Sequence, residues 1–152
     1  MKITVEGQLS SSTKFLELHS GDPFCIGSLE NPFMKTTKLY NSQGVKNSIC
    51  LRDGSLSTFN DHEIIQKIYA KLFLKTLLEF NPENKRNNII KFSEIKYGEV
   101  IYLNNCYFMK IEPCSIGNHR LNVFELVFRS GRFLHDNDFV QKVDAELIVE
   151  KI

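Results

Sequence analysis

Near the end of the chain, apolar and polar positions alternate. Val143, Ala145, Leu147 and Val149 are interleaved with Asp144, Glu146, Ile148 and Glu150. A period of two is the signature of a strand with one buried face. Shorter apolar runs precede it: Val100–Leu103, Tyr107–Ile111 (which Pro113 should end), Leu121–Phe128 and Arg132–His135. Asn104-Asn105, Gly117-Asn118 and Ser130-Gly131 separate them as turn signals. Five strands in about 60 residues predict a small, strongly bent antiparallel sheet or barrel of SH3-like size.

The first half of the chain gives a conflicting local signal. Ile64, Ile65, Ile68, Tyr69, Leu72 and Phe73 would share one face of a helix, so Glu63–Phe80 reads alone as amphipathic and helical. The same stretch, however, matches the later alternating strand. Asp61, Gln66, Lys67, Ala70 and Leu72 recur as Asp136, Gln141, Lys142, Ala145 and Leu147, 75 residues on. The match extends backward: Phe33-Met34-Lys35 returns as Phe108-Met109-Lys110, and Asn47 and Leu51 as Asn122 and Leu126. Lys14-Phe15, Glu17 and Gly21 return as Lys91-Phe92, Glu94 and Gly98, at a shift of 77. With about fourteen identities, the chain reads as one small module written twice rather than a stacked solenoid. A strand is therefore expected from residue 64 to about Lys75, followed by a short helical turn over Thr76–Phe80.

These matches predict a mainly β protein: two tandem copies of a five-stranded SH3-like barrel or bent antiparallel sheet, related by a pseudo-twofold. The expected boundaries are 1–13 for an N-terminal strand and linker, 14–75 for copy one, 76–90 for a linker and 91–152 for copy two. Ile3, Val5 and Leu9 alternate with polar residues, so the N-terminal strand should pair onto an exposed sheet edge. Ser10-Ser11-Ser12-Thr13 reads as a flexible connection. A module of about 60 residues is marginal alone, and a shared interface would relieve that. Phe73 and Ile148 occupy the outward phase of matching strands, which nominates them as an inter-copy seam and a binding position.

Composition narrows the function classes. Formal net charge is +1 and stays close to balanced within each copy, with no basic block. A dedicated nucleic-acid binder usually carries a basic footprint. No segment approaches the roughly 20 apolar residues that span a bilayer, so no membrane role is expected. Cys25, Cys50, Cys106 and Cys114 fall at unmatched positions in the two copies. That pattern reads as reduced thiols in a cytoplasmic setting.

No catalytic arrangement emerges. There is no Gly-x-Ser-x-Gly elbow, no phosphate-binding glycine loop and no Cys-x-x-Cys pair. His19, His62, His119 and His135 are not matched by histidine in the other copy. The chain is therefore expected to be no enzyme and to hold no metal and no cofactor. Residues common to both copies read as scaffold. Lys35 and Lys110 should be solvated strand lysines, Glu17 and Glu94 surface carboxylates, Asp61 and Asp136 turn residues bonding local backbone through their side chains, and Asn47 and Asn122 bonded to a neighbouring loop.

The pattern Lys91-Phe92-Ser93-Glu94-Ile95, Gly98-Glu99-Val100, Tyr107–Lys110, Asn122 and Asp136–Leu147 resembles small β modules of uncharacterised bacteriophage and mobile-element proteins. The resemblance covers each copy but not residues 1–13 or 76–90. It implies a small accessory protein without catalytic residues, an adaptor or host-system inhibitor acting through protein–protein contacts. The alternative is a nucleic-acid-binding small β-barrel, with Lys35, Lys110, Tyr69 and Tyr97 as its basic and aromatic face. A duplication that fuses an ancestral dimer would leave the chain monomeric.

Overall fold

The computed structural model describes residues 2–6, 12–74, 89–125 and 130–151. Among them there is no α-helix, and the strands form one largely antiparallel sheet system. The first half contains β2 (Ser12–Lys14), a 3₁₀ turn at Phe15–Glu17, β3 (Pro23–Cys25), β4 (Phe33–Asn41), β5 (Gly44–Cys50), β6 (Leu56–Ser57) and β7 (Ile64–Leu74). The second contains β8 (Ile89–Lys91), a 3₁₀ turn at Phe92–Glu94, β9 (Val100–Leu103), β10 (Cys106–Ile116), β11 (His119–Glu125), β12 (Gly131–Arg132), β13 (Phe139–Val143) and β14 (Ala145–Lys151). Ahead of both, β1 (Lys2–Glu6) lies parallel to β14 as the expected extra strand. The main path of the sheet runs β1-β14-β7-β3-β4-β10-β9-β13-β8.

Residues 64–74 form a strand, not a helix, although their apolar spacing fits both. Residues 68–74 pair antiparallel with β14 and residues 64–66 with β2, and burial of Ile65 and Ile68 follows from that sheet environment. The last strand of the second half is broken at Asp144 into β13 and β14. The expected end of a strand at Pro113 is corrected: β10 continues to Ile116. Proline lacks a ladder donor, and Pro113 falls where the β10–β11 register shifts between Lys110 and Cys114, so no bond is lost there. The strand expected over Arg132–His135 shrinks to Gly131–Arg132. Each half also begins with a strand and a 3₁₀ turn that apolar patterning does not show. Ser12 and Thr13 are therefore strand rather than flexible connection, and Ile89 and Ile90 are strand rather than linker. Thr76–Phe80 and the rest of the expected linker to Asn88 lie outside the described residues.

Two strand pairings join the halves. In the first, Leu72 faces Leu147, Phe73 faces Glu146 and Lys71 faces Ile148. In the second, Tyr40 faces Ser115. At both places a residue meets its counterpart 75 positions away. The core follows the same plan. Phe15, Leu18, Phe24 and Ile65, with Phe33 and Phe59, pack in the first half. Phe92, Ile95, Ile101, Phe108, Val123 and Val140 pack in the second. A third cluster draws on both halves, including Met34, Leu39 and Ile49 from one and Met109, Cys114 and Phe124 from the other. Neither half thus completes a core alone, as the small-module argument requires. Backbone fit is close at this junction. Gly54 has φ +70°, and a Cβ there would collide with the Lys110 carbonyl oxygen and come 2.9 Å from the Gly98 nitrogen.

Candidate functional site

The residues common to both halves do structural work, and they do it identically. The Lys35 ammonium donates to the Phe15 and Leu18 carbonyls at 3.0 and 2.8 Å. The Lys110 ammonium donates to the Phe92 and Ile95 carbonyls at 3.0 and 2.8 Å. Each stands over the phenyl ring of its 3₁₀ turn, 4.5 Å from Phe15 and 4.2 Å from Phe92. Burial draws the Lys110 ammonium below its ordinary pKa, opposed by Asp136 and Glu99. The expectation that these lysines are solvated is corrected. A strand lysine can reach back to a turn and supply its carbonyls with a further donor, and these two do, adding to the Leu18 and Ile95 N–H groups that already bond the Phe15 and Phe92 carbonyls. Two of the three N–H donors of each ammonium are thus committed to turn carbonyls rather than turned to the expected nucleic-acid face.

Glu17 and Glu94 are exposed carboxylates, as expected, and they also have a local role. Each accepts the backbone N–H three residues before it, from Lys14 at 3.3 Å and Lys91 at 3.1 Å. The repeated Lys-Phe-x-Glu was the sequence signal for these turns: a carboxylate reaching back to a strand-end N–H is half of a capping box. Asp61 and Asp136 contribute backbone carbonyls, accepting from Leu16 and Ser93. The side-chain bonds of that turn come from the next acids instead, Glu63 accepting from the Asn60 N–H and Asp138 from the His135 N–H. Asn47 forms a reciprocal pair with the Phe59 backbone at 2.8 and 2.9 Å, and Asn122 does the same with Leu134 at 2.7 and 2.8 Å. Those two match the expectation.

The other nominated residues separate. Tyr97 lies 5.7 Å from the Lys110 ammonium, while Tyr69 stands exposed on β7 opposite Glu150. Phe73 and Ile148 do lie on the two strands that join the halves, and Ile148 is half-buried there. The pairing of β7 with β14 fills that seam from within the chain. The four cysteines are free. Desolvation pushes the Cys25 and Cys114 thiols up to about 11. Among the described residues, no group of three His, Cys, Asp or Glu side chains is placed to hold a metal ion.

What stands out is a pair of apolar side chains that patterning alone left unexplained. Ile64 is 58% exposed and Phe139, its counterpart 75 positions on, is 68% exposed. Ile64 faces Lys14 of β2, and Phe139 faces Lys91 of β8. Directly opposed residues share a face, so each half presents an apolar side chain beside a lysine. The neighbouring pairs, Thr13 with Ile65 and Ile90 with Val140, point into the core. Ile89, opposite Gln141, shares the outer face with Phe139. Among the described residues, β2 and β8 each pair along one side only, with β7 and β13. Each half thus offers a short strand edge, its last N–H (Lys14 or Lys91) already bonded to the Glu17 or Glu94 carboxylate, flanked by exposed apolar surface. Comparison with known proteins adds no identity: no protein-family model, no curated protein and no solved structure matches the chain.

Proposed function

We propose that this chain is a non-enzymatic binding protein that takes up an extended segment of a partner protein on the outer edge of β8. Strand addition draws its affinity from main-chain hydrogen bonds and its selectivity from alternate side chains. The observation that carries the reading is Phe139, the most exposed large apolar side chain among the described residues, with Ile89 and Lys91 on the same face. A segment added there would place an apolar residue opposite Ile89 and an acidic one opposite Lys91, two positions apart. The edge of β2, with Ile64 and Lys14, is the matching site in the first half.

The architecture behind this is two tandem copies of an SH3-like module fused into a pseudo-dimer and monomeric in solution. The recurring lysine, asparagine and carboxylate bonds support it, as do the two strand pairings centred on counterpart residues. An adaptor or inhibitor of the bacteriophage type in a reducing cytoplasm fits this architecture and the free cysteines. The test compares captures from lysate by the wild type, by Phe139→Asp and by Ile26→Asp, an exposed apolar position elsewhere. A specific partner should be lost with Phe139→Asp alone and should protect the β8 amides from hydrogen exchange. Retention by Phe139→Asp, or protection elsewhere, refutes the edge. A clean dimer mass in sedimentation refutes the fused pseudo-dimer.

A further inference from the structure

A second surface lies on the far side of the junction from the β7–β14 seam. The Tyr40–Ser115 pairing makes a continuous four-strand surface, β5-β4-β10-β11, out of two hairpins from different halves. Val45 faces Tyr40, Tyr40 faces Ser115 and Ser115 faces Arg120. These four side chains therefore form one row on one face, because directly opposed residues point the same way. Leu39, Cys114 and Leu121 point the other way into the core. Lys38, in the irregular stretch of β4 between Lys35 and Leu39 and two residues before Tyr40, is also exposed. Tyr40 is 44% exposed, and the Arg120 guanidinium lies 4.2 Å from the Phe133 ring, extending the row with a second aromatic.

Acidic residues are sparse on these hairpins, with half-buried Glu112 on β10 and buried Glu125 at the end of β11. Residues 31–52 and 113–124 contain no aspartate or glutamate, although the chain as a whole is nearly neutral. Neither stretch is basic enough to be noticed by itself. Folding sets them side by side, with exposed Tyr40 two residues from Lys38 on β4 and two strands from Arg120. Two inter-strand spacings separate Tyr40 from Arg120, about 10 Å.

We infer that this face binds single-stranded nucleic acid, by stacking a base on Tyr40 and neutralising flanking phosphates with Lys38 and Arg120. An aromatic platform beside cations on an open sheet is the means by which sequence-tolerant single-strand binders work. The proposal concerns a different surface and a different class of ligand from the β8 edge, so the two stand or fall separately.

The test is fluorescence anisotropy of the full chain with labelled oligo-dT and oligo-rU of about 12 nucleotides, and with a duplex of the same length, at about 50 mM and about 200 mM NaCl. Binding of the single strands is expected to exceed that of the duplex and to weaken with salt, with a logarithmic slope of about −1.4 for two neutralised phosphates. Tyr40→Ala, Lys38→Glu and Arg120→Glu should each weaken it about tenfold. Lys96→Glu, an equal charge change in the turn before β9, should leave it within about twofold. Far-UV circular dichroism checks that these exposed substitutions keep the fold. No single-strand binding at the lower salt overturns the proposal, as does binding that all three variants retain or equal affinity for the duplex. A dimer in sedimentation that Tyr40→Glu dissociates would show that a second copy occupies this face, and would also overturn it.

Discussion

Replacing Lys110 or Lys35 with methionine keeps most of the side-chain volume and removes the ammonium. In each half that group makes two hydrogen bonds to turn carbonyls and one contact to a phenyl face. A hydrogen bond involving a charged group contributes about 1.5–3 kcal/mol, so two give roughly 3–6 kcal/mol. The cation–π contact adds about 0.5–1 kcal/mol at a half-exposed position. Ordering the lysine opposes this by about 2 kcal/mol, and burial of the ammonium opposes it further, consistent with the lowered pKa of Lys110. The balance is a loss of about 2–4 kcal/mol for either substitution, because Phe92 and Ile95, or Phe15 and Leu18, are buried, although the phenylalanine carbonyl keeps its bond from the turn N–H. Urea unfolding followed by far-UV circular dichroism measures it, with Lys38→Met on the same strand as a control expected to stay within about 0.5 kcal/mol. If Lys35→Met and Lys110→Met cost no more than that control, the turn is not held by its lysine. If one costs much and the other nothing, the two halves are not built alike.

The Thr36 hydroxyl is buried without a hydrogen-bond partner among the described residues, and isoleucine (Ile111) stands 75 positions on. Thr36→Val should therefore stabilise by about 1 kcal/mol in the same urea titration, with a loss of stability counting against a dry site. Gly54→Ala forces a Cβ into the Lys110 backbone and should cost about 3 kcal/mol or more. Gly117→Ala, at φ +56° with open space around it, should cost only about 1 kcal/mol. Burial alone would raise the Glu99 pKa, but the hydrogen bond and charge of Lys142, 2.9 Å away, with the Lys96 N–H, hold it below the ordinary value. A carboxylate depressed in the fold stabilises above its unfolded pKa and loses that contribution as pH falls through the folded one. Stability should thus decline below about pH 4.5, the ordinary value, and Glu99→Gln should flatten that decline in pH-dependent unfolding. Buried Cys25 and Cys114, with thiols near 11, should resist a thiol reagent at pH 8 in the native state, while half-buried Cys106 reacts first. A single fast phase for all four cysteines would contradict the burial.

Positions that recur in both halves were legible when their role was local. Asn47 and Asn122 announced a side-chain bond to a loop, because an amide opening an apolar strand needs both its donor and its acceptor satisfied. The strand at 64–74 was legible only by setting it beside 139–149. Its own spacing fits a helix and a sheet equally well, and its counterpart alternates. Lys35 and Lys110 were misread because their acceptors lie on a turn 15 to 20 residues earlier in the chain. Nothing at the lysine itself signals that distance. Phe139 and Ile64 passed as ordinary strand residues, since patterning marks them apolar but does not say that their face stays open.

The amino-acid sequence by itself determined the β character, the internal correspondence at 75 and 77 residues and the short-range bonds that follow from it. These depend on alternation, on turn residues and on partners a few positions away. Tertiary structure alone decided which strands of the two halves meet, which lysines bond the carbonyls of a distant turn and which apolar edges remain open. It also set two hairpin tips without acidic residues, 31–52 and 113–124, against each other at Tyr40 and Ser115. Strand pairing is non-local, and side-chain periodicity states that a residue has a buried or an exposed face without stating what lies across from it.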